Sequence, residues 1–175
     1  MRIFKNLFLI LFFLAASVNY LKAQEKVSYI DIDYILATSI AGKSLLNKLK
    51  EEEELKINIL KSKDEDFKQK ENKILAKKNL ISKEEINIEL KSLQIEFNEY
   101  RKDKAKQIQE LKTKRKRNIV NFLSLLNPII EKYMSDNSIY MVIDKKNVFI
   151  ANKEYDITNN LIELINNQIK DIEIK

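Results

Sequence analysis

Residues 80–100 read LISKEEINIELKSLQIEFNEY, and this stretch decides the fold. Ser82 and Glu85 have the S-x-x-E spacing of a capping box, in which each side chain bonds the other residue's backbone at the first turn of a helix. Apolar residues then recur in alternating steps of four and three, the spacing of a coiled-coil seam. The stretch therefore predicts a new helix after Ser82, with the seam Ile86, Leu90, Leu93, Phe97 and Tyr100.

The preceding residues predict a second, partner helix. Between Lys43 and Leu80 there is no Pro or Gly, and Leu60, Phe67 and Ile74 follow one another at seven-residue spacing. Such a helix would be on the order of 55 Å long at 1.5 Å per residue. Together the two helices predict an antiparallel, coiled-coil-like arm over residues 43–127 with its tip near 78–83. The three residues on the first helix are interpreted as its share of the seam, and a surface exposed to a ligand is the alternative.

The second helix is predicted to change character along its length. After Tyr100 the seam positions are polar, at Lys104 and Gln107, before Leu111 and Phe122 resume it. Asn127 followed by Pro128 is typical of a helix cap and first helical position. A kink or break is therefore expected there.

Short strands and helices are predicted at both ends of the chain. Lys26 to Leu36 reads KVSYIDIDYIL, which predicts a strand followed by a short helix capped by Asp33. Gly42 then marks a turn into the long helix or, alternatively, a mildly destabilising helical glycine. These elements, residues 24–42, form one part of a small body.

Residues 128–175 supply the rest of that body. Apolar runs at 139–143 and 148–151, separated by a polar turn, predict a β-hairpin. Both runs are continuously apolar, so both faces of the sheet should be covered. Thr158 is expected to cap a last helix whose Leu161, Ile162, Ile165 and Ile169 share one face.

A body this small buries too little apolar surface to be stable alone. Self-association through the strands would supply the missing cover, and closed cyclic symmetry is the usual result. The expected fold class is mainly α with a small β body, with arms projecting from an oligomeric β core. The residues expected in that oligomer core are Val27, Tyr29, Ile30, Ile32, Met141, Ile143, Val148 and Ile150.

The N-terminus has the order of a secretory signal. Arg2 and Lys5 precede an apolar run from Leu7 to Ala16, which is shorter than the roughly 20 residues that span a bilayer. Cleavage after Ala23 is expected, although Leu21 fits the cleavage rule poorly and an uncleaved anchor is the alternative. Removal of residues 1–23 would reduce the 32 basic residues to 29, against 26 acidic ones. The exported chain would carry only +3, which makes nucleic acid a weak candidate partner.

The composition argues against an enzyme. The chain has no His and no Cys, which excludes disulfides, thiol nucleophiles and the usual proton shuttle, and leaves no common transition-metal site. Four consecutive carboxylates at Glu51–Glu54 are interpreted as a solvated helical face, and Asp31 and Asp33 as helix caps in preference to metal ligands. No catalytic, metal or cofactor residue is predicted.

One segment carries a strong local charge. Arg101 to Arg117 contains nine basic and two acidic residues. It would attract acidic polypeptides or anionic lipid headgroups, and a solvated helical face is the alternative. The residues expected to attract a partner are Lys112, Lys114, Arg115, Lys116 and Arg117.

The two ends of the chain resemble the Skp/OmpH-like family of periplasmic chaperones. VSYIDIDYIL with AGKSLLNKL is similar to the family's first strand and entry to the long helix, and VIDKKNVFIANKEYDIT to its closing hairpin. The resemblance implies a jellyfish-shaped homotrimer in the periplasm that holds unfolded outer-membrane proteins between its arms without ATP. The lysine-rich second helix departs from the family. A structural coiled-coil spacer or adaptor of the envelope is the alternative function.

Overall fold

A computed structural model describes residues 26–174 of the chain. In chain order its elements are β1 (Lys26–Ile30), α1 (Ile32–Thr38), α2 (Ile40–Ala76), α3 (Lys83–Asp136), β2 (Ile139–Asp144) and α4 (Thr158–Gln168). Short 3-10 turns lie at Lys77–Asn79, Lys145–Asn147 and Lys153–Tyr155. The predicted signal, residues 1–23, lies outside the described residues. Within residues 26–174, no helix combines the length and the apolar character needed to cross a membrane.

The predicted pair of long helices is confirmed. The Ser82 side chain accepts a hydrogen bond from the Glu85 backbone, and the Glu85 side chain accepts one from the Ser82 backbone. This capping box starts α3 directly after the Lys77–Asn79 turn, so α2 and α3 run antiparallel. The fold class, mainly helical with a small sheet, is likewise as predicted.

The predicted β-hairpin is wrong. β2 pairs with β1 in parallel, in the register Tyr29 to Ile143, and residues 148–151 form no strand in the described structure. Parallel strands need a crossover connection, and here the whole helical arm is that crossover. Asp144 caps the 3-10 turn at Lys145–Asn147, which sends the chain away from β2 instead of folding it back.

The core lies where the strands, α1, α4 and the bases of the long helices meet. α4 packs on α1, α2 and α3, and its Leu161 and Ile165 are fully buried. The buried core residues are Ile30, Ile35, Ala41, Leu45, Leu49, Phe122, Leu126, Ile129, Ile139, Ile157, Leu161, Ile165 and Ile172.

The predicted starts of two helices differ from the structure. Asp31, not Asp33, caps α1, because the Asp31 carboxylate accepts the Tyr34 amide. Ile32 is consequently the first helical residue and not part of the strand. Thr158 begins α4 without capping it: its amide donates to Asp156, while its own hydroxyl accepts the Asp31 amide at 2.9 Å.

Two predicted interruptions also differ. Ser39 caps α2, so Gly42 lies inside the helix, as the alternative interpretation had it. A Cβ atom at Gly42 would lie 2.1 Å from the carbonyl oxygen of Leu36, so glycine permits the close approach of α1. α3 continues through Pro128 without ending, because Leu126 and Ile129 hold both sides of it in the core. Packing there outweighs the loss of one helical hydrogen bond.

Candidate functional site

The arm is held together at mid-length by three aromatic rings. Phe67 on α2 lies 5.0 Å from Tyr100 and 5.2 Å from Phe97 on α3, measured between ring centroids. Leu60, Ile86 and Tyr100 are the buried residues of the predicted seam. The remaining seam positions are half-buried or at the edge of exposure: Phe67, Ile74, Leu90, Leu93 and Phe97.

A polar network reinforces this aromatic cluster. The Tyr100 hydroxyl donates to the Leu60 carbonyl at 2.7 Å and contacts Asp64 at 2.9 Å, and Lys104 pairs with the same carboxylate. Burial, followed by the hydrogen bond to Asp64, raises the pKa of Tyr100 to about 12. The Lys104 bond lowers the pKa of Asp64 below its ordinary value. Polar Lys104 therefore does not interrupt the contact between the helices, because it has a partner across the seam.

Ion pairs cross the arm along its length. Within residues 26–174, four pairs join α2 to α3, and a fifth joins Lys77, in the turn after α2, to Glu89 of α3. The two residue numbers of each pair average 83 or 84, as an antiparallel hairpin requires.

The pairs nearest the body are Glu52 with Lys114 at 2.7 Å and Glu53 with Arg115 at 3.3 Å. They use two carboxylates of the acidic run Glu51–Glu54, whose interpretation as a solvated helical face is therefore wrong for these two. The capping box at Ser82 could have revealed these partners, because it fixes the position of the turn. In an antiparallel hairpin, residues equally far before and after the turn lie opposite each other.

The basic stretch is thereby divided into two kinds of residue. Lys114 and Arg115 are half-buried and bonded to α2 carboxylates. Lys112 and Lys116 are exposed and form no ion pair within the described part of the chain. Arg117 is exposed and has an interaction of its own. Only part of the stretch is therefore available as free positive charge.

A second surface lies beside the sheet. An open cleft of about 740 Å³ is lined by Val27, Tyr29, Ile143, Val148 and Ile150, all members of the predicted oligomer core. Val27, Met141 and Ile150 are exposed, and Phe149 beside them is fully exposed. Ile30 instead lies in the chain's own core, and Ile32 packs against that core. One face of the two-stranded sheet is therefore apolar and only partly covered by residues 26–174: Tyr29 and Ile143 are half-buried, and Val27 and Met141 are exposed.

The comparisons with known proteins agree with this architecture. The sequence profile described as "Outer membrane protein (OmpH-like)" matches residues 26–165. The chain belongs to the OmpH-like family. Its fold is similar to a crystal structure from Caulobacter crescentus CB15 assigned as an OmpH-like outer membrane chaperone, with a TM-score of 0.77. The two share 18% identity over 85% of this chain and 88% of that one. The comparison with curated proteins found no match.

This OmpH-like chain groups no metal-binding side chains within residues 26–174. Its two distinctive surfaces are instead the long charged arm and the apolar sheet face.

Proposed function

We propose that the protein is an ATP-independent holdase chaperone of the periplasm that keeps unfolded outer-membrane proteins soluble between its helical arms. The observation that carries the proposal is the distribution of apolar residues along the arm. Leu55, Leu75, Leu80 and Ile108 are exposed but separated by charged side chains. Separated contacts of this kind bind an unfolded chain weakly at many points and do not select one folded surface. Family membership supports the same conclusion.

The partly covered apolar face of the two-stranded sheet supports a homotrimer. A single chain leaves Val27, Met141 and Ile150 in water, and a closed ring of three chains would bury such surfaces around one axis. Three arms around that axis would enclose the space for a client. Replacing Ile143 with Asp should place a charge in the buried interface, at a cost of several kcal/mol, and dissociate the assembly. Light scattering should report three subunits for the wild type, and a stable wild-type monomer would contradict this arrangement.

An aggregation assay tests the function directly. Urea-unfolded outer-membrane β-barrel protein is diluted into buffer with and without the chaperone, in the absence of nucleotide, and light scatter is followed. We expect suppression at stoichiometric concentrations. Scatter that is the same with and without the protein would reject the holdase.

The alternative, a structural spacer or adaptor of the envelope, has one observation in its favour. Ion pairs near both ends of the arm, and the aromatic cluster between them, join its two sides. A strut would bind one folded partner and would leave the aggregation of unfolded barrels unchanged. The same assay therefore separates the two functions.

A further inference from the structure

The arm has a loosely packed segment between the body and the aromatic cluster. On α2 no residue between Leu49 and Leu60 is fully buried, and on α3 none between Tyr100 and Asn118. The helices are joined there by the Glu52–Lys114 and Glu53–Arg115 ion pairs. Surface ion pairs stabilise by only about 0–1 kcal/mol each. The two helices leave a groove of about 760 Å³ along this segment.

The lining of this proximal groove is amphipathic. Leu55, Ile59 and Leu111 supply apolar surface, and Glu52, Lys56, Lys106 and Glu110 are among the residues around them. Leu55 is 68% exposed and Ile59 is 54% exposed, so the apolar surface is open to a ligand. A polypeptide segment bound there would remove these side chains from water.

The charge of the groove favours an acidic occupant. Its lining includes four basic residues, Lys56, Lys106, Lys114 and Arg117, and two acidic ones, Glu52 and Glu110. Glu52 pairs with Lys114 and Glu110 with Lys106, which neutralises those carboxylates. Lys56 has no ion pair within residues 26–174, whereas exposed Lys112 and Lys116 lie on α3 outside the lining. The lining of the groove thus carries a net positive charge.

The spacing of the apolar residues favours an extended occupant. Leu55 and Ile59 are four residues apart on one helix, which separates them by about 6 Å along its axis. In an extended chain, side chains on the same face repeat every two residues, or about 6.7 Å. Strands of outer-membrane barrels alternate apolar and polar residues in this way. Two successive apolar side chains of such a strand would therefore contact Leu55 and Ile59 together.

We propose that the proximal groove is a binding site for an extended polypeptide segment in which apolar residues alternate with carboxylates. The proposal rests on the holdase function and assigns a location and a sequence preference to it. The apolar side chains of the segment contact Leu55, Ile59 and Leu111. The carboxylates between them lie on the other face of the segment and are attracted by the net positive charge of the lining.

A pair of matched variants tests the location. Leu55→Gln with Ile59→Gln removes the apolar surface of the groove. The control, Ile88→Gln with Ile95→Gln, removes residues that are 69% and 56% exposed and lie beyond the aromatic cluster, outside the groove. Gln is a good helix former, so circular dichroism should show intact helices in both. Wild type, variant and control are compared as full-length protein purified from the periplasm.

Peptide binding supplies the readout. Three fluorescent ten-residue peptides are used: Leu alternating with Glu, Leu alternating with Lys, and the Leu/Glu composition rearranged into two blocks. We expect the alternating Leu/Glu peptide to bind wild type at least about tenfold more tightly than the other two. The groove variant should bind this peptide about tenfold more weakly than wild type does. The affinity of the control should stay within about twofold of wild type.

The outcomes distinguish this site from the holdase function itself. Equal losses in the groove variant and the control, or equal binding of the three peptides, would overturn the groove while wild type still suppressed aggregation of an unfolded barrel protein. Failure of wild type to suppress aggregation would reject the holdase instead. A benzophenone crosslinker introduced at Ile59, and at Ile95 as its control, gives an independent check. Crosslinks to the unfolded barrel protein should form mainly at position 59, and equal yields would also overturn the proposal.

Discussion

The same two helices are stabilised in different ways at their bases and along the arm. At the base, Leu45 and Leu49 of α2 face Phe122 and Leu126 of α3 in a closed apolar core. Along the arm, the fully buried seam positions are reduced to Leu60, Ile86 and Tyr100, supplemented by ion pairs. The free energy needed to open a region locally increases with the apolar contact that the region buries. The arm should therefore open far more easily than the body. A rigid body with easily opened arms would suit the proposed holdase function.

The largest expected effect contrasts one phenylalanine in each region. Phe122 in the body is fully buried, and Phe122→Ala should lower the free energy of unfolding by about 3–5 kcal/mol. Phe97 in the arm is 36% exposed, so Phe97→Ala should cost much less. Urea denaturation followed by circular dichroism measures both. Equal losses would mean that the arm is as tightly packed as the body, which would contradict the comparison.

Gly42→Ala tests the junction at which the arm leaves the body. In an exposed helix this change stabilises by about 1 kcal/mol, because alanine is the better helix former. Here the new Cβ would lie 2.1 Å from the Leu36 carbonyl oxygen, so α1 must move away from α2. Overpacking of this kind costs about 1–3 kcal/mol, and we expect the melting temperature to fall. A rise in melting temperature would show that α1 moves freely.

Tyr100→Phe tests how the arm is closed. The variant keeps the ring contacts with Phe67 and loses the hydrogen bonds to Leu60 and Asp64. A hydrogen bond of this kind contributes about 1 kcal/mol, so amide exchange should accelerate around residues 60–64 and not in the body. Uniform acceleration throughout the chain would contradict the separation of the two regions.

Alkaline pH should destabilise the arm around Tyr100, as the Tyr100→Phe substitution does. The pKa of Tyr100 is raised to about 12, above the value of about 10 for an exposed tyrosine. A raised pKa means that its contribution to stability is complete below pH 10 and is lost as pH rises toward 12. Absorbance at 295 nm should show one tyrosine titrating late in wild type, and Tyr100→Phe should lack that late step.

The sequence predicted the arms well because their signals are local. A capping box at Ser82 and heptad spacing through Leu60 and Phe67 act over a few residues, so they are visible without tertiary structure. The break predicted as one alternative at Pro128 was wrong for the opposite reason. Burial of Leu126 and Ile129 against distant α4 and the strands keeps that helix continuous, and no local pattern records those contacts.

The pairing of the strands also depends on long-range contacts that the local sequence does not record. The apolar runs at 139–143 and 148–151 predicted a hairpin from proximity in sequence, but β2 finds its partner more than 100 residues earlier in β1. Among the candidate site residues, the aromatic seam was predictable from spacing. The division of the basic stretch was not, because it depends on which lysines meet Glu52 and Glu53 across the arm.

The division of the basic stretch into free and ion-paired residues gives the smallest and most specific predicted effect. Replacing all five residues Lys112, Lys114, Arg115, Lys116 and Arg117 with Gln should slow association with an acidic unfolded barrel protein, because long-range attraction sets the capture rate. Two double variants separate the causes, since each removes two positive charges. Lys112→Gln with Lys116→Gln removes free charge and should slow association, with the slowing reduced at high salt.

Lys114→Gln with Arg115→Gln instead leaves Glu52 and Glu53 without their partners in the arm. Each surface pair stabilises by about 0.2–1 kcal/mol, so amide exchange in residues 50–59 should accelerate by a few-fold. Association should slow less than in the first variant, because the lost charges were already neutralised by α2. Stopped-flow fluorescence at low and high salt measures the association rate. Equal slowing by both variants would mean that capture depends on net charge alone, and unchanged rates in both would mean that the basic stretch is only a solvated face of the arm.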